Sequence, residues 1–280
     1  MRGEAGERVR AKMLLDGSKP KVDPVDLRRV LKEAGFTVGR ENADIGVVVG
    51  GDGRFGKYGR MEEVPLLFVG VRSKNPAGSR AYLAEAYFDE LPRVLRRVIS
   101  GDYRVEEQRR LEVLKNERPL GEIFTDVYLQ RGADSSCIRY SVKTAKGGRG
   151  AEDVAVGDGV VICTSAGSTG YYSYPDRVVG DMMDPGAHTI IGRDVVGICH
   201  IIPTFTERRG TDVHPLRYTV PWGTEVEISL FRPADARLYG TTEGRGGARV
   251  AVGDVITVRP GRSTTKVISV SRRTGSLPRL

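Results

Sequence analysis

The sequence is short of cysteine and tryptophan and lacks long hydrophobic runs. Its 280 residues include Cys 3 and Trp 1, and aromatic residues are 7% of the total. The longest apolar segments, residues 45–49 and 65–71, fall far short of the roughly 20 residues of a membrane helix. These absences exclude a helical membrane protein and a disulfide-stapled scaffold. Hydrophobic residues at 39% and charged residues at 29% instead predict a globular chain with one large domain or two ordinary ones.

No targeting segment or metal-ligand pattern is visible. The first ten residues are charged and no apolar segment follows them, so we expect neither a signal peptide nor a transit peptide and predict a cytoplasmic protein. The cysteines and histidines are too scattered for a zinc site or a catalytic triad. We expect each to be structural: Cys137, Cys163, Cys199, His188, His200 and His214.

The charge balance favours anionic partners without identifying one. Lys+Arg 44 against Asp+Glu 36 gives a formal charge of +8, and only ten of the basic residues are lysine. Arginine matches phosphate and carboxylate oxygens in a forked geometry, although an arginine-rich genome or a heat-adapted surface explains the excess as well. The basic residues are dispersed and have no interleaved aromatics. We therefore predict neither a nucleic-acid nor a membrane partner.

Two patterns divide the chain. The first hundred residues alternate strand-like and helical segments, with strands at 9–15, 45–49 and 66–71 and helices at 24–34 and 88–99. Asp23 and Pro24 are typical of a helix start, and Gly35 of its end. The rest has short alternating segments punctuated by glycine and proline, which predict antiparallel strands. These are residues 110–114, 123–130, 136–143, 159–163, 195–202, 225–231 and 255–259, with a turn at 146–149.

We therefore predict an α/β + β fold, in which a Rossmann-like N-terminal domain is followed by a β-sandwich. The α/β domain is assigned to residues 1–105 and the sandwich to residues 106–258. Residues 259–280 form a C-terminal segment that we expect to pack back on the N-terminal domain.

The sharpest local signal is the GGDG loop, residues 50–53, directly after the apolar strand 45–49. Gly50, Gly51 and Gly53 let main-chain N–H groups approach phosphate oxygens, and the following helix adds its positive end. The carboxylate of Asp52 could then accept a proton from a hydroxyl or orient that hydroxyl. The alternative is a tight turn with Asp52 as a helix cap. Neither a P-loop nor a G-x-G-x-x-G fingerprint stands at a strand end of this domain.

Two weaker signals follow. Asn116 and Glu117, just past a predicted strand, could grip two adjacent sugar hydroxyls, although the dipeptide alone indicates only a turn. Downstream, a Gly-Asp-Gly at 157–159 and a strand lead into the TSAGST turn, residues 164–169. Its hydroxyls and bare backbone suit a purine, a ribose or a phosphate, although taken alone a glycine-rich β-turn with solvated hydroxyls explains it better.

In this order, the GGDG loop, the Asn-Glu pair and the segment TSAGSTGY resemble the NAD kinase family over roughly residues 9–270. The resemblance implies transfer of the terminal phosphoryl of ATP, or of polyphosphate, to the 2′-hydroxyl of the adenosine ribose of NAD, giving NADP. It also implies a divalent cation such as Mg²⁺ as cofactor, an α/β domain and a β-sandwich domain with NAD between them, and a homodimer or homotetramer.

Residue roles are carried over by matching positions. Asp52 is the implied catalytic carboxylate. The implied ATP and phosphate residues are Gly50, Gly51, Gly53, Arg54, Lys57 and Arg60. The implied NAD or acceptor residues are Asn116, Glu117, Asp158, Thr164, Ala166, Ser168, Thr169 and Tyr171. No direct motif assigns a metal ligand.

The chain departs from the family pattern around the ligand pocket. Arg54 replaces the threonine of the family's GGDGT, and Ala166 replaces the second threonine of its TPTGSTAY segment. Glu243 replaces the aspartate of the family's late Asp-Gly-Gln motif. Ser79 and Arg80 end a stretch that lacks the family's pocket aromatic. A site built for one hydroxyl pattern rejects another when buried polar groups are left unpaired. The alternatives are therefore a related kinase for another alcohol, such as a sugar, nucleoside or lipid, and a dinucleotide-binding protein without turnover.

Overall fold

The computed structural model describes residues 8–16, 21–72, 81–178, 190–241 and 246–270, which divide into two compact units. The first unit takes in the described residues up to Gln108 and those from Thr265 onward. The second unit is Arg109–Thr264.

The first unit is built on a parallel sheet. Its strands are β1 Arg10–Leu14, β2 Thr37–Val38, β3 Ile45–Gly50, β4 Leu66–Gly70 and β5 Ala86–Tyr87. They pair in the order β2-β1-β3-β4-β5, and every pairing is parallel. Strands β3 and β4 are buried at every residue, as expected for parallel strands covered on both faces.

The described part of this unit has three α-helices: α1 Pro24–Glu33 between β1 and β2, α2 Asp52–Met61 between β3 and β4, and α3 Leu91–Ile99 after β5. Helix α1 starts as its sequence predicts, because the Asp23 carboxylate accepts a hydrogen bond from the Val25 N–H at 2.8 Å. The predicted helix over 88–99 is a 3₁₀ turn, Phe88–Glu90, followed by α3. Pro92 accounts for the late α start, since a proline is tolerated only in the first turn.

The second unit is an antiparallel sandwich. One sheet has the order β13-β10-β9-β15-β18, with β6 and β7 beyond β18, and the other has the order β14-β12-β11-β8-β16-β17. Valine, isoleucine and leucine side chains from both sheets form one buried core. The strands are β6 Arg104–Lys115, β7 Arg118–Ile123, β8 Asp126–Arg131, β9 Ile138–Lys146, β10 Arg149–Gly157, β11 Gly159–Cys163, β12 Val195–Ile201, β13 Phe205–Arg208, β14 Arg217–Pro221, β15 Glu225–Leu230, β16 Ala236–Tyr239, β17 Ala248–Val250 and β18 Val255–Ser269.

This architecture confirms the predicted α/β + β fold class, with corrections to individual strands. The strand predicted at 123–130 is wrong as one element, because β7 ends at Ile123 and β8 begins at Asp126. The strand predicted at 255–259 extends to Ser269, and its last residues belong to the first unit, where Val267 pairs with Leu66 of β4.

A short helix, α4 Tyr174–Val178, follows the TSAGST turn. Within the described ranges, no helix is long and apolar enough to span a membrane.

Candidate functional site

The GGDG loop lies at the carboxyl end of β3, where helix α2 begins. Gly51 is the N-cap residue and offers no side chain to the helix N–H groups. Its carbonyl accepts from the N–H groups of Arg54 and Phe55 at 2.9 and 3.1 Å, while Gly53 is exposed and a Cβ there would meet no described atom within 4 Å. The first turn of helix α2 therefore contains an exposed residue, and the positive end of the helix dipole there suits an anion.

The position within the sheet also favours a ligand. From β1 the chain moves to β2 on one side, and β3 and β4 lie on the other side of β1. The carboxyl ends of β1 and β3 thus form a topological switch point, where open α/β sheets bind ligands. Gly50 has φ +156, and a Cβ there would meet the Arg54 side chain at 3.2 Å, so the loop depends on glycine at this position.

Asp52 is the first residue of α2, and main-chain donors hold its carboxylate. The N–H of Leu83 donates to Oδ1 at 2.9 Å and the N–H of Tyr82 donates to Oδ2 at 3.1 Å. These two donors orient the side chain, which is half-buried.

The three basic residues predicted to bind phosphate lie at increasing distances along α2. Arg54 forms an ion pair with Asp16, and both side chains are about a quarter exposed. Lys57 is exposed and lies over the Tyr58 ring. Arg60 lies in the last turn, about 12 Å along the helix axis from Asp52 at 1.5 Å per residue. Arg54 is thus the one of these three nearest to the loop, and the roles of all three stay predictions.

The TSAGST turn packs tightly against residues 124–126. The hydroxyl of Thr164 donates to the Phe124 carbonyl at 2.6 Å, and the Thr164 N–H donates to the Thr125 carbonyl at 2.9 Å. A Cβ at Gly167 would lie 2.2 Å from the Thr125 carbonyl oxygen, so only glycine allows this approach. Ser168 is fully buried and donates to the Ser165 carbonyl at 2.7 Å. Ala166 is 8% exposed.

Two buried hydroxyls, one at the end of this turn and one after β16, lack a partner among the described residues. Thr169 is 8% exposed and Thr241 is 2% exposed, and no described group forms a hydrogen bond with the Oγ1 of either. Thr169 precedes Gly170, where a Cβ would lie 3.6 Å from Asp126 Oδ2. Thr241 follows Gly240, where a Cβ would lie 2.4 Å from the Asp126 carbonyl oxygen. Unpaired buried hydroxyls cost stability, so they indicate a place where a polar ligand could bind.

Asn116 and Glu117 form the turn of the hairpin between β6 and β7. Their φ angles are 50 and 65, as a two-residue type I′ turn requires. The Asn116 amide donates to Asp254 Oδ1 at 2.7 Å and accepts from the Val255 N–H at 2.8 Å. Asn116 thus has a structural role, whereas Glu117 is exposed, and a ligand role for the pair stays a prediction.

Thr125 and Asp126 are site residues that our sequence reasoning missed. They stand at the start of β8, and Asp126 pairs in register with Cys163, next to Thr164. The Thr125 hydroxyl donates to Asp126 Oδ1 at 3.0 Å. Two adjacent polar residues where a strand begins are the sequence signal that could have identified them. The prediction of one continuous strand over 123–130 placed both residues inside that strand instead.

The remaining predicted residues have clear local contacts. Asp158 pairs with Arg131, whose Nε donates to Oδ1 at 2.6 Å. The ring of Tyr171 meets the Tyr128 ring edge-on at a centroid distance of 5.5 Å, and burial raises the pKa of Tyr171. Ser79, Arg80 and Glu243 lie outside the described residues.

A buried polar cluster lies within the sandwich and reaches the segment after the TSAGST turn. Asp153, 1% exposed, accepts from Arg208 Nε at 2.8 Å and from the Tyr218 hydroxyl, and His200 Nε2 lies 3.6 Å away. Burial alone would raise the pKa of Asp153, but these contacts outweigh it and lower the pKa to about 2. The His200 carbonyl accepts from the Tyr174 hydroxyl at 2.7 Å, which ties α4 to β12.

Two solved structures share the fold. Yeast NADH kinase in complex with NADH superposes with a TM-score of 0.68 at 16% identity, covering 96% of this chain and 85% of that chain. An NAD kinase from Archaeoglobus fulgidus in complex with ATP gives a TM-score of 0.62 at 17% identity, covering 95% and 94%. No protein-family model matches the chain.

The fold and the GGDG loop define a two-domain phosphotransferase that acts on an alcohol group. The NAD kinase of Geobacter sulfurreducens is 30% identical over 234 residues, which cover 81% of this chain and 73% of that protein. The chain belongs to the NAD kinase family. The NAD kinase of Geotalea daltonii, 27% identical over 267 residues, covers 91% of this chain and 84% of its own.

Proposed function

We propose that this protein transfers the terminal phosphoryl group of ATP to the 2′-hydroxyl of the adenosine ribose of NAD, giving NADP and ADP. The observation that carries the proposal is the oriented Asp52 carboxylate at the start of α2, beside the exposed Gly53 of the GGDG loop. Membership of the NAD kinase family supports the choice of substrates, since the named relatives are NAD kinases.

Asp52 acts on the acceptor hydroxyl. Its carboxylate orients the hydroxyl and takes its proton as the ribose oxygen forms a bond to the γ-phosphorus. The bond between that phosphorus and the β,γ-bridging oxygen breaks, and ADP leaves with the bond's electrons. The Tyr82 and Leu83 N–H groups hold the carboxylate in place, which lowers the entropy cost of the step.

The GGDG loop binds the phosphates of the donor. The main chain at the exposed Gly53 and the positive end of α2 stabilise the negative charge of the phosphoryl oxygens. Among the described residues no group of three or more histidine, cysteine or carboxylate side chains could hold a metal ion alone. Mg²⁺ is usually bound by one or two carboxylates and the phosphates of the substrate, so Asp52 and the donor phosphates are suitable ligands for it. The ion would neutralise phosphate charge.

The acceptor is bound by polar groups of the second unit. We assign Asp126 and the unpaired hydroxyls of Thr169 and Thr241 to the hydroxyls of the dinucleotide, and Tyr171 to an aromatic ring. Thr164 and Ser168 then keep the turn in shape, because their hydroxyls donate within the protein. Asp158 holds the start of β11 to Arg131 of β8. Ala166 has no hydroxyl where the family has a threonine, so the pocket differs from the family's pattern. The acceptor test therefore includes alcohols other than NAD.

The test is a panel of acceptors incubated with γ-labelled ATP and Mg²⁺, read for label transferred to each acceptor. NAD and NADH are compared with a nucleoside, a sugar and a lipid alcohol. We expect label on the dinucleotide, at the 2′ position. Label on another alcohol only would identify the alternative kinase, and dinucleotide binding without any transfer would identify a non-catalytic protein.

Two further properties are proposals of the same kind. Replacing ATP by inorganic polyphosphate in this assay tests the second donor. Light scattering after gel filtration tests the expected homodimer or homotetramer.

A further inference from the structure

A short turn of the first unit holds the Asp52 carboxylate. The turn is closed by a hydrogen bond from the Ala84 N–H to the Ala81 carbonyl at 3.0 Å. The two residues between them, Tyr82 and Leu83, are the ones whose N–H groups donate to Asp52, at 3.1 and 2.9 Å. We call this segment, from Ala81 to Ala84, the carboxylate turn. The direction of its two inner N–H groups determines how the carboxylate is oriented.

The first residue of the carboxylate turn, Ala81, has an unusual backbone conformation. Its φ is +51, in the left-handed region that residues with a Cβ rarely adopt, and its exposed fraction is 3%. The backbone angles of Ala81 orient the peptide group that carries the Tyr82 N–H. A negative φ at Ala81 would therefore turn this N–H away from Asp52. Strained backbone of this kind persists only where the surrounding structure holds it.

The end of β4 supports the carboxylate turn. Gly70 is the last residue of β4 and pairs in register with Gly50, which opens the GGDG loop. A Cβ at Gly70 would lie 2.8 Å from the Ala81 Cβ and 3.2 Å from the Ala84 Cβ, so both alanines pack directly on the strand end. The turn therefore stands beside the loop because β3 and β4 are neighbours in the sheet.

Glu85 fixes the far end of the carboxylate turn. Its N–H donates to the Phe68 carbonyl of β4 at 3.0 Å. Its carboxylate accepts from the Val270 N–H at 2.9 Å and from the Ser269 hydroxyl at 3.3 Å, where β18 ends. The turn is thus tied to two neighbouring strands, and these ties explain how the strained conformation of its first residue persists.

We propose that Ala81 is a positioning residue for the phosphoryl transfer, whose left-handed backbone directs the Tyr82 and Leu83 N–H groups at Asp52. This inference rests on the proposed function, since it concerns the carboxylate that takes the acceptor's proton. The methyl side chain of Ala81 has no group that could take part in the chemistry, so its conformation is what matters. A residue that adopts a φ near +50 readily should replace it, and one that does not should fail.

Steady-state kinetics of NADP formation test this requirement. Ala81→Gly adopts the left-handed conformation without strain and should keep kcat within about twofold. Ala81→Val resists this conformation and should lower kcat about tenfold or more, with the KM for NAD and for ATP within about threefold. In an Asp52→Asn background, Ala81→Val should lower kcat by no more than about twofold further, because the group that it positions has already been changed.

Asn42→Val is the matched control for backbone strain. Asn42 has φ +50 in the same unit, but it is exposed and precedes β3, whereas Asp52 follows the other end of that strand. The change should lower the melting temperature and leave kcat unchanged. If Ala81→Val does not fold, Glu85→Ala takes its place: loss of the contacts to Ser269 and Val270 should lower kcat about fivefold with both KM values kept.

The amide proton resonances of Tyr82 and Leu83 give a readout that needs no turnover. Both should move upfield in Ala81→Val and stay in place in Ala81→Gly, because hydrogen bonds to a carboxylate are short and strong.

The proposal is overturned by an unchanged kcat in Ala81→Val or, where that variant does not fold, in Glu85→Ala. An equal loss of kcat in Ala81→Gly and Ala81→Val, or a further tenfold loss in the Asp52→Asn background, overturns it as well. If the resonances move as described but the natural protein forms no NADP, the proposed function fails while the positioning of Asp52 stands.

Discussion

The GGDG loop and the TSAGST turn are both rich in glycine, yet their polar groups point to different tasks. In the loop, Gly53 is exposed and its surroundings are open. In the turn, Thr164 and Ser168 are buried and their hydroxyls donate to carbonyls of the protein. Glycine leaves the first region open and allows the second region to pack closely. The same residue type therefore does not indicate the same function.

The largest effect should follow from Asp52→Asn. The amide keeps the size of the side chain but cannot take the acceptor's proton, so we expect kcat to fall by about 100-fold or more. Its single oxygen can accept from only one of the Tyr82 and Leu83 N–H groups, so the melting temperature should fall modestly while the fold is kept. An assay coupled to NADPH formation measures kcat, and calorimetry checks the fold. Activity above a tenth of the natural protein's would remove Asp52 from the role of base.

Asp126→Asn compared with Glu117→Gln tests which polar pair binds the acceptor. Asp126 borders Gly170 and Gly240, the chain neighbours of Thr169 and Thr241, whereas Glu117 is exposed in the hairpin turn. We expect the first change to raise the KM for NAD about tenfold, as loss of a hydrogen bond to a charged group does, and the second to leave it within about twofold. The reverse ranking would restore the pair predicted from sequence.

Gly53→Ala and Gly167→Ala should have opposite effects. A methyl group at Gly167 would meet the Thr125 carbonyl, which should lower the free energy of unfolding by about 1–3 kcal/mol. At Gly53 the space is open, so stability should hold while the methyl group obstructs the phosphates and lowers kcat/KM by about tenfold. Thermal unfolding and steady-state kinetics on both variants measure this. Equal loss of stability would contradict the distinction between loop and turn.

The polar cluster around Asp153 should make the stability of the sandwich unit depend on pH in the acid range. Because its pKa in the fold is lowered to about 2, ionised Asp153 stabilises the protein above pH 4 or so, and this contribution is lost as the pH falls toward 2. The shift corresponds to about 2 kcal/mol. Asp153→Asn should therefore lower the melting temperature at pH 7 and differ less from the natural protein near pH 2.

Asp26→Asn is the control for that series, because Asp26 is exposed on α1. Its melting temperature should follow that of the natural protein across the pH range. A constant gap between Asp153→Asn and the natural protein from pH 7 to pH 2 would show that ionisation is not the cause.

Sequence reasoning worked best where local chemistry determines the structure. Asp23, Pro24 and Gly35 mark the ends of α1 because capping depends on neighbouring residues. The buried strand before the GGDG loop was predictable because a strand covered on both faces is apolar throughout. The fold class followed from the change of pattern after residue 100.

The acceptor residues were less predictable, because their neighbours are distant in sequence. Thr125 and Asp126 meet Thr164 and Gly167 through strand pairing between β8 and β11, which no local pattern reveals. Asn116 is predicted as a ligand residue from its order among the motifs, and that role stays a prediction. Its amide contacts Asp254 and Val255 about 140 positions later, which no local pattern reveals. A motif's order along the chain predicts its neighbours in space only when the loops between motifs are short.

Strand β18 has a consequence for synthesis on the ribosome. Ile268 and Val270 belong to the core of the first unit, and Val267 pairs with β4. The N-terminal unit therefore cannot complete its interior until the last part of the chain has left the exit tunnel, after the whole sandwich has been translated. A nascent chain stalled before Thr265 would keep an unfinished apolar surface on β4, where chaperones or a second nascent chain could attach.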